Sequence, residues 1–314
     1  MSRQRENEPH LLLLCRLWDD VTYKTHMTRV FSERENFEIH GVLTKATRIF
    51  TVPLLNALPA SFIQRVMRAS SHDAATVVAK GGSTHALEAM YTRYHRGIFS
   101  RGFLQGLADM FWHHFVSQPK ALRNRLRIVQ QLLEKEIRSR NTPVFVLSIA
   151  GGSARSLIQT SAKLQHEHFP QQVRVTVIDK DASALDVGKR VAASAGVSGL
   201  FQWIQGDAGK IGVLFPDIQF DIVEIVGLLD YFDDERVLHL LCNVRVKLSE
   251  NSALIVANVM PNREMLFVQK TGWPPMFYRT PDDFARLVEK ASFNVRATIQ
   301  EPLRVHTVIR ASVT

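Results

Sequence analysis

Three short loops carry most of the side chains that could do chemistry. The first is Ala150, Gly151, Gly152, Ser153, Ala154 and Arg155, a run of small residues directly after an apolar stretch. Small residues let a ligand approach the backbone, and the free amides of a helix start favour an anionic or polar group. The second loop holds Asp179, Lys180 and Asp181. A carboxylate there can accept both hydrogen bonds of a ribose diol, so Asp179 is the candidate ligand, with Lys180 beside it and Asp181 as the cap of the next helix. The third is Gly206, Asp207 and Ala208, where a carboxylate can accept from the exocyclic amine of adenine. Plainer explanations exist for each: strand-to-helix packing for the glycines, a cap or a turn for the acids. The first loop is not G-x-G-x-x-G, so a dinucleotide does not follow from it. Taken together, the three describe an adenosine site with no phosphate clamp.

Such loops converge only if the elements before them are neighbouring strands. Val144 to Ile149, Val173 to Ile178, Phe201 to Ile204, Phe220 to Val226 and Ala253 to Ala257 have the length of buried strands, interrupted by charge only at Arg174, Asp221 and Glu224. Arg155 to His166, Ala182 to Ser194 and Asp234 to Leu248 are long enough for crossover helices between them. Alternating strands and helices predict an α/β fold with a mostly parallel sheet and ligands beyond its carboxyl ends. Asn294 to Ile299 and Val305 to Ala311 leave no room for a helix at Glu301 and Pro302, so they predict an antiparallel hairpin at the sheet edge.

Before Pro143 the pattern is helical. The clearest helix runs from about Lys120 to Ile137, with Leu122, Leu126, Val129, Leu133 and Ile137 in one stripe. Pro53, Pro59, Gly81, Gly82 and Pro119 punctuate this region, and Gly81 to Thr84 reads as a loop with a cap, a plain turn being favoured over a phosphate cradle. The expected division is a helical domain at 1–142 and a sheet domain at 143–314. Residues 1–142 hold 21 Lys and Arg against 12 Asp and Glu, which accounts for the whole net charge of +9. A basic region beside a neutral one suits an anionic substrate or partner, although the arginines are scattered as on a solvated helix face.

Composition removes several classes. With 46% hydrophobic and 22% charged residues over 314 positions, disordered, collagenous and disulfide-scaffold chains are excluded. The two cysteines, Cys15 and Cys242, form no C-x-x-C and no Cys/His cluster, so no metal is expected and a reducing cytoplasm fits. Leu11 to Leu14 is too short for a membrane span or a signal core, and the first ten residues read as a tail. His113 and His114 are adjacent and point to different helix faces, while His166 and His168 fall at a helix end; neither pair enters the chemistry.

On these residues the chain resembles the class I S-adenosylmethionine-dependent methyltransferases. Ser148 stands where their first motif usually has an acid, and Ala150 and Ala154 stand for two of its glycines. The likeness is closer to a bacterial subgroup of 3-hydroxy fatty acid methyl ester biosynthesis whose loop reads L-S-I-A-C-G-P-A-R. Leu147 to Ala150, Gly152, Ala154 and Arg155 fit it, with Gly151 and Ser153 in place of its Cys and Pro. Ala121 to Arg125, Gly227 to Tyr231 and Tyr278 to Pro281 are similar as well, and the likeness runs from about residue 100 to the end. A G-Y-A-G-D motif expected upstream of Glu88 is replaced by Gly81 to His85.

The resemblance implies a Rossmann-like seven-stranded sheet, S-adenosylmethionine as cofactor and a small-molecule methyl acceptor. Ala150, Gly151, Gly152, Ser153, Asp179, Lys180, Asp207, Ala208 and Gly227 would then hold the cofactor, and Asp230 and Tyr231 would face the methyl group. Methyl transfer from a sulfonium is an in-line displacement that needs alignment, water exclusion and, for a weak nucleophile, proton removal. Asp230 is the candidate to position or deprotonate a hydroxyl or amine. A carboxylate acceptor needs no base and would be held by an arginine; Arg123, Arg125 and Arg279 are candidates for that clamp or for the carboxylate of the cofactor's methionine, and any of them could equally bridge helices to sheet. Tyr231, Trp273, Phe277 and Tyr278 are candidate pocket walls, though aromatic residues more often serve a core. O-methylation of an anionic or acyl-type molecule is the favoured reaction. An aminopropyltransferase or nicotianamine-like synthase would want more acids than Asp230, an NAD(P) oxidoreductase lacks its third glycine, and a nucleic-acid or carrier-protein binding module shows no RNA-binding signature. The N-terminal helices are expected to lid the pocket, choose the acceptor and offer a homodimer contact.

Overall fold

The computed structural model describes residues 37–92, 99 and 102–313. The expected N-terminal tail, the Leu11 to Leu14 run and Cys15 lie outside the described residues. Among the described residues six helices precede the sheet: α1 (Val42–Ala57), α2 (Ala60–Ser70), α3 (His72–Lys80), α4 (Thr84–Thr92), α5 (Phe103–Phe115) and α6 (Ser117–Arg138). Pro53 lies inside α1 rather than at its end. Pro119 sits in the first turn of α6, where backbone N–H groups have no intrahelical partner and a proline costs little.

The sheet elements follow in alternation: β1 (Val144–Ile149), α7 (Arg155–His166), β2 (Val173–Asp179), α8 (Ala182–Ser194), β3 (Phe201–Gln205), α9 (Ile211–Leu214), β4 (Phe220–Val226), α10 (Asp234–Arg245) and β5 (Leu248–Val259). Then come α11 (Met265–Lys270), α12 (Pro281–Lys290), β6 (Phe293–Gln300) and β7 (His306–Val313). Seven strands form one sheet in the order β3-β2-β1-β4-β5-β7-β6. β1 to β5 pair in parallel, whereas β7 is antiparallel to both β5 and β6. The expected Rossmann-like sheet with a C-terminal hairpin is therefore the observed one. β5 begins earlier than its apolar run because Leu248 pairs with Phe220 and Ala253 with Ile222, the intervening polar residues being absorbed in an irregularity.

Alternate residues of the strands bury on opposite faces. Leu147, Ile149 and Ile225 join α10 and α12 through Val237, Leu241 and Phe284. Val144, Val146 and Ile222 join α6 and α7 through Ile128, Val129, Leu133 and Leu157. A third core ties Ile63, Val77, Met90 and Trp112 of the N-terminal helices to Leu122 of α6 and to Phe267, Val268 and Trp273. α6 thus belongs to two cores: its first turns pack with the helical layer and the remainder covers the sheet. Among the described residues no single helix is long and apolar enough to cross a membrane.

Candidate active site

The strand order reverses between β1 and β4, where connections leave in opposite directions and a crevice opens at the carboxyl ends. A cavity of about 680 Å³ lies there. All nine residues expected to hold the cofactor line it: Ala150, Gly151, Gly152 and Ser153 after β1, Asp179 and Lys180 at the end of β2, Asp207 and Ala208 after β3, and Gly227 after β4. Asp179 Oδ2 accepts from the Gly152 N–H at 2.9 Å and Oδ1 from the Asp181 N–H at 2.9 Å, so this one carboxylate ties two loops together. Each oxygen keeps a further lone pair for a hydroxyl donor. Asp181 caps α8 through Ser183, as expected, and Asp207 accepts from the Gly209 N–H at 2.7 Å.

The glycines answer to packing as well as to access. A Cβ on Gly151 would lie 2.5 Å from Ser148 Oγ, and one on Gly152, whose φ is +55°, would lie 2.7 Å from Thr84 Oγ1. Thr84 opens α4, so the N-terminal helices sit directly on the loop after β1. Gly82, with φ +76°, is held against Pro274 and lies near the Tyr231 hydroxyl. The expected turn at Gly81 and Gly82 is thus also a wall of the cavity. Glu88 of α4 clamps the same contact, pairing with Arg155 and accepting from Ser153 Oγ at 2.7 Å.

The residues expected at the reacting end separate into two groups. Arg125 and Tyr231 line the cavity. Arg125 is 3% exposed, approaches Gly227, donates to the Tyr91 hydroxyl at 3.3 Å, and has a buried Nε with no hydrogen-bond partner. Burial works against its charge, but Tyr91 and Asp230 outweigh it and hold its pKa above the usual arginine range. Tyr231 Oη accepts from Trp273 Nε1 at 3.0 Å. Burial and the neighbouring Asp230 push the Tyr231 phenol well above its ordinary range, which keeps it a neutral donor.

Asp230, Arg123, Trp273, Tyr278 and Arg279 do not line the cavity. Asp230 is buried and accepts from the Val259 N–H at 2.6 Å, so its carboxylate pins the loop after β4 to β5. Burial raises its pKa, against the pull of Arg125 and Arg279. Arg123 is bidentate to Glu38 and also donates to the Met90 carbonyl. Arg279 donates to the Leu229 and Phe232 carbonyls and to Asn258 and Asp234. Neither guanidinium is available as a substrate clamp; both are consumed in joining loops. Trp273 stands behind Tyr231, and Tyr278 packs with Ala121 and Val259. Phe277 is 47% exposed.

Residues the sequence reading did not assign complete the wall. Glu224 on β4 reaches the cavity, accepting from Ser148 Oγ at 3.1 Å and Ser156 Oγ at 2.5 Å. Burial raises its pKa, opposed by those hydroxyls and by Arg125. Its signal was present, since a charge inside an otherwise apolar central strand demands a partner. Leu87, Tyr91, Leu126 and Val129 supply an apolar side from α4 and α6, and Arg236 stands stacked over Phe232.

Residues 67–311 match the model of a family described as "Putative methyltransferase". The chain belongs to this methyltransferase family. The expected enzyme class and cofactor, methyl transfer dependent on S-adenosylmethionine, hold with it. Solved structures share the fold of the methyltransferase at low identity. A protein of Bordetella parapertussis described as a possible exported protein is 17% identical with a TM-score of 0.60, over 82% of this chain and 97% of that one. Magnesium protoporphyrin IX methyltransferase of Synechocystis, with S-adenosylhomocysteine bound, is 13% identical with a TM-score of 0.51, over 70% and 92%. A "putative O-methyltransferase" of Nostoc punctiforme is 21% identical with a TM-score of 0.51, over 76% and 71%. No protein of curated function matches the sequence significantly.

Two departures from the usual first motif have structural meaning in this methyltransferase. Ala150 and Ala154 adopt φ of 50° and 48°, the left-handed region that glycine enters freely and alanine enters at a cost of about 1–2 kcal/mol. Ser148 lacks the acid, and Glu224, its register partner on the adjacent strand, puts a carboxylate in the same space.

Proposed function

We propose that this methyltransferase transfers the methyl group of S-adenosylmethionine to an oxygen of a small anionic or acyl-type acceptor, in the manner of the subgroup acting in 3-hydroxy fatty acid methyl ester biosynthesis. The observation that carries the acceptor's charge is Arg125, which lines the cavity with the terminal nitrogens of its guanidinium beside Gly227. The cavity fits the cofactor: Asp179 offers acceptors for a ribose diol, Asp207 for an adenine amine and Glu224 for an ammonium group. When bound, the cofactor supplies an electrophilic methyl group on a sulfonium.

The chain's own contribution is alignment. Arg125 holds a carboxylate by one oxygen and leaves the other its lone pairs; near neutral pH a carboxylate is already ionised and no base is needed. Tyr231 accepts from Trp273, so its own proton points elsewhere and donates to the acceptor. Asp230 acts through others, balancing Arg125 and fixing the Gly227 loop, and is a positioning residue rather than the base first expected. The described helices before β1 close the cavity and select the acceptor, and residues 143–314 hold the cofactor.

Calorimetry tests the cofactor half: S-adenosylmethionine and its demethylated product should both release heat on mixing, and silence at millimolar ligand would remove the reading. Mass spectrometry of host extract incubated with isotopically labelled cofactor tests the other half. Label should appear on carboxylic acids or hydroxy acids; label on polyamines or nucleic acid would replace the acceptor class.

A further inference from the structure

The N-terminal helices expose a group of large apolar side chains, and such groups mark interaction surfaces when they are contiguous. On α1, Val42, Leu43 and Phe50 are 86%, 78% and 78% exposed, and Val52 alone is buried. On α5, Phe103, Leu104, Leu107 and Phe111 recur at helical spacing on an exposed stripe, while Trp112 and His113 face inward. Phe62 and Val66 of α2 are half exposed beside the buried Ile63 and Met67. None of these side chains lines the cavity, so the catalytic site does not account for them.

The charge that accompanies this surface comes from two of the three helices and has one sign there; α5 carries only Asp109, which is buried. α1 and α2 carry Lys45, Arg48, Arg65 and Arg68 and no acidic residue. Arg48 is committed to Glu264 and the Phe115 carbonyl, which fastens α1 to the body, but Lys45, Arg65 and Arg68 are exposed. Together the two helices have the hydropathy of a span, yet they are bent by 115° and neither is long enough to cross. Apolar stripes with a purely basic fringe on helices too short to span are the pattern of an interfacial surface.

We propose that the outer faces of α1, α2 and α5 dock on an anionic lipid bilayer, on which the protein lies without spanning it. A second copy is the poorer occupant, because a two-fold contact through α1 and α2 would set Lys45, Arg65 and Arg68 against their own kind with no acid to answer them. Residues 1–36 are poorer as well, since their six basic and six acidic residues offer no net negative charge. α2 also touches the end of α11, Gln64 donating to the Lys270 carbonyl at 3.1 Å, just before the segment whose Pro274 and Pro275 wall the cavity. Docking therefore places the bilayer beside the helical lid whatever the acceptor is.

The test is co-sedimentation of the full chain with vesicles of phosphatidylcholine alone and of phosphatidylcholine with roughly a third phosphatidylglycerol, at low and high salt. Binding is expected to the anionic vesicles, weakened by salt. Phe50→Glu with Leu104→Glu, and separately Lys45→Glu with Arg65→Glu and Arg68→Glu, should each lower the bound fraction about tenfold or more while calorimetric binding of S-adenosylmethionine is unchanged. Three results would overturn the proposal: a monomer indifferent to both vesicles, whose face its own residues 1–36 would then cover; vesicle binding that survives both sets of substitutions; or a dimer in sedimentation velocity that ignores vesicles and is dissociated by Phe50→Glu.

Discussion

Ser148 on β1 and Glu224 on β4 stand in register, and the serine hydroxyl donates to the carboxylate at 3.1 Å. A strand-end acid has in effect moved one strand sideways while keeping its place in the cavity. Glu224 is held by two hydroxyls and faced by Arg125, so it is a fixed acceptor rather than a mobile side chain. Glu224→Gln should weaken S-adenosylmethionine binding about tenfold, because an amide cannot balance the ligand's ammonium group. Calorimetry reads this directly. The wild-type affinity should also fall as pH drops through the raised pKa of Glu224, and the Gln variant should lose that dependence; an unchanged profile would remove Glu224 from the site.

The same residue sets a stability trend in the ligand-free protein. Burial raises the folded-state pKa of Glu224 above its unfolded value of 4.5, so its contribution is fully present below that pH and is lost as pH rises through the folded pKa. Glu224→Gln, which never ionises, should therefore gain stability relative to wild type as pH is raised from about 4.5 toward neutrality. Denaturant unfolding of both proteins at several pH values checks the sign. Asp230 and Glu301 shift in the same direction, but they are common to both proteins and cancel in the difference.

Tyr231 and Asp230 should respond differently to removal although they are adjacent. Tyr231→Phe deletes a donor facing the cavity and should lower turnover about tenfold with cofactor affinity unchanged. The stranded Trp273 Nε1 adds a stability cost of about 1–3 kcal/mol. Asp230→Asn should act chiefly on folding, because it removes a charge facing Arg125 and disturbs the 2.6 Å bond to Val259. Thermal melts beside turnover numbers separate the two outcomes: a fully stable Asp230→Asn protein with no activity would restore Asp230 as a catalytic base.

The sheet was legible in the sequence because its strands are apolar runs punctuated by helices, and β1 and β4 fall where the hydropathy places them. The strand-end wall of the cavity was legible for a related reason: it is built from loops whose positions follow from the strands themselves. The acceptor side was not. Arg123, Arg125 and Arg279 look alike as text, and only tertiary packing shows that Glu38 occupies the first, backbone carbonyls and Asn258 occupy the third, and Arg125 alone reaches the cavity. The placing of Asp230 was hidden in the same way, since a carboxylate beside a tyrosine carries no mark of the backbone N–H it accepts from. The β5 extension was hidden by its polar residues, which an irregularity in pairing tolerates.

Gly152 separates two explanations for the small-residue loop, close approach by a ligand and close approach by the helical lid. A Cβ at Gly152 would meet Thr84 Oγ1 at 2.7 Å, whereas the Thr84 Cβ lies at 3.8 Å, an ordinary contact. Gly152→Ala should accordingly cost stability through two separable effects: the left-handed backbone at φ +55°, about 1–2 kcal/mol, and the clash with the threonine hydroxyl. Thr84→Ala removes the second effect and leaves the first. The double variant should therefore be more stable than the sum of the single changes predicts, and it should regain cofactor binding that Gly152→Ala loses as the lid is displaced. Denaturant unfolding and calorimetry on the four proteins of the cycle measure the coupling. Strict additivity, with binding lost in the double variant as well, would mean that the missing side chain makes room for the ligand and not for α4.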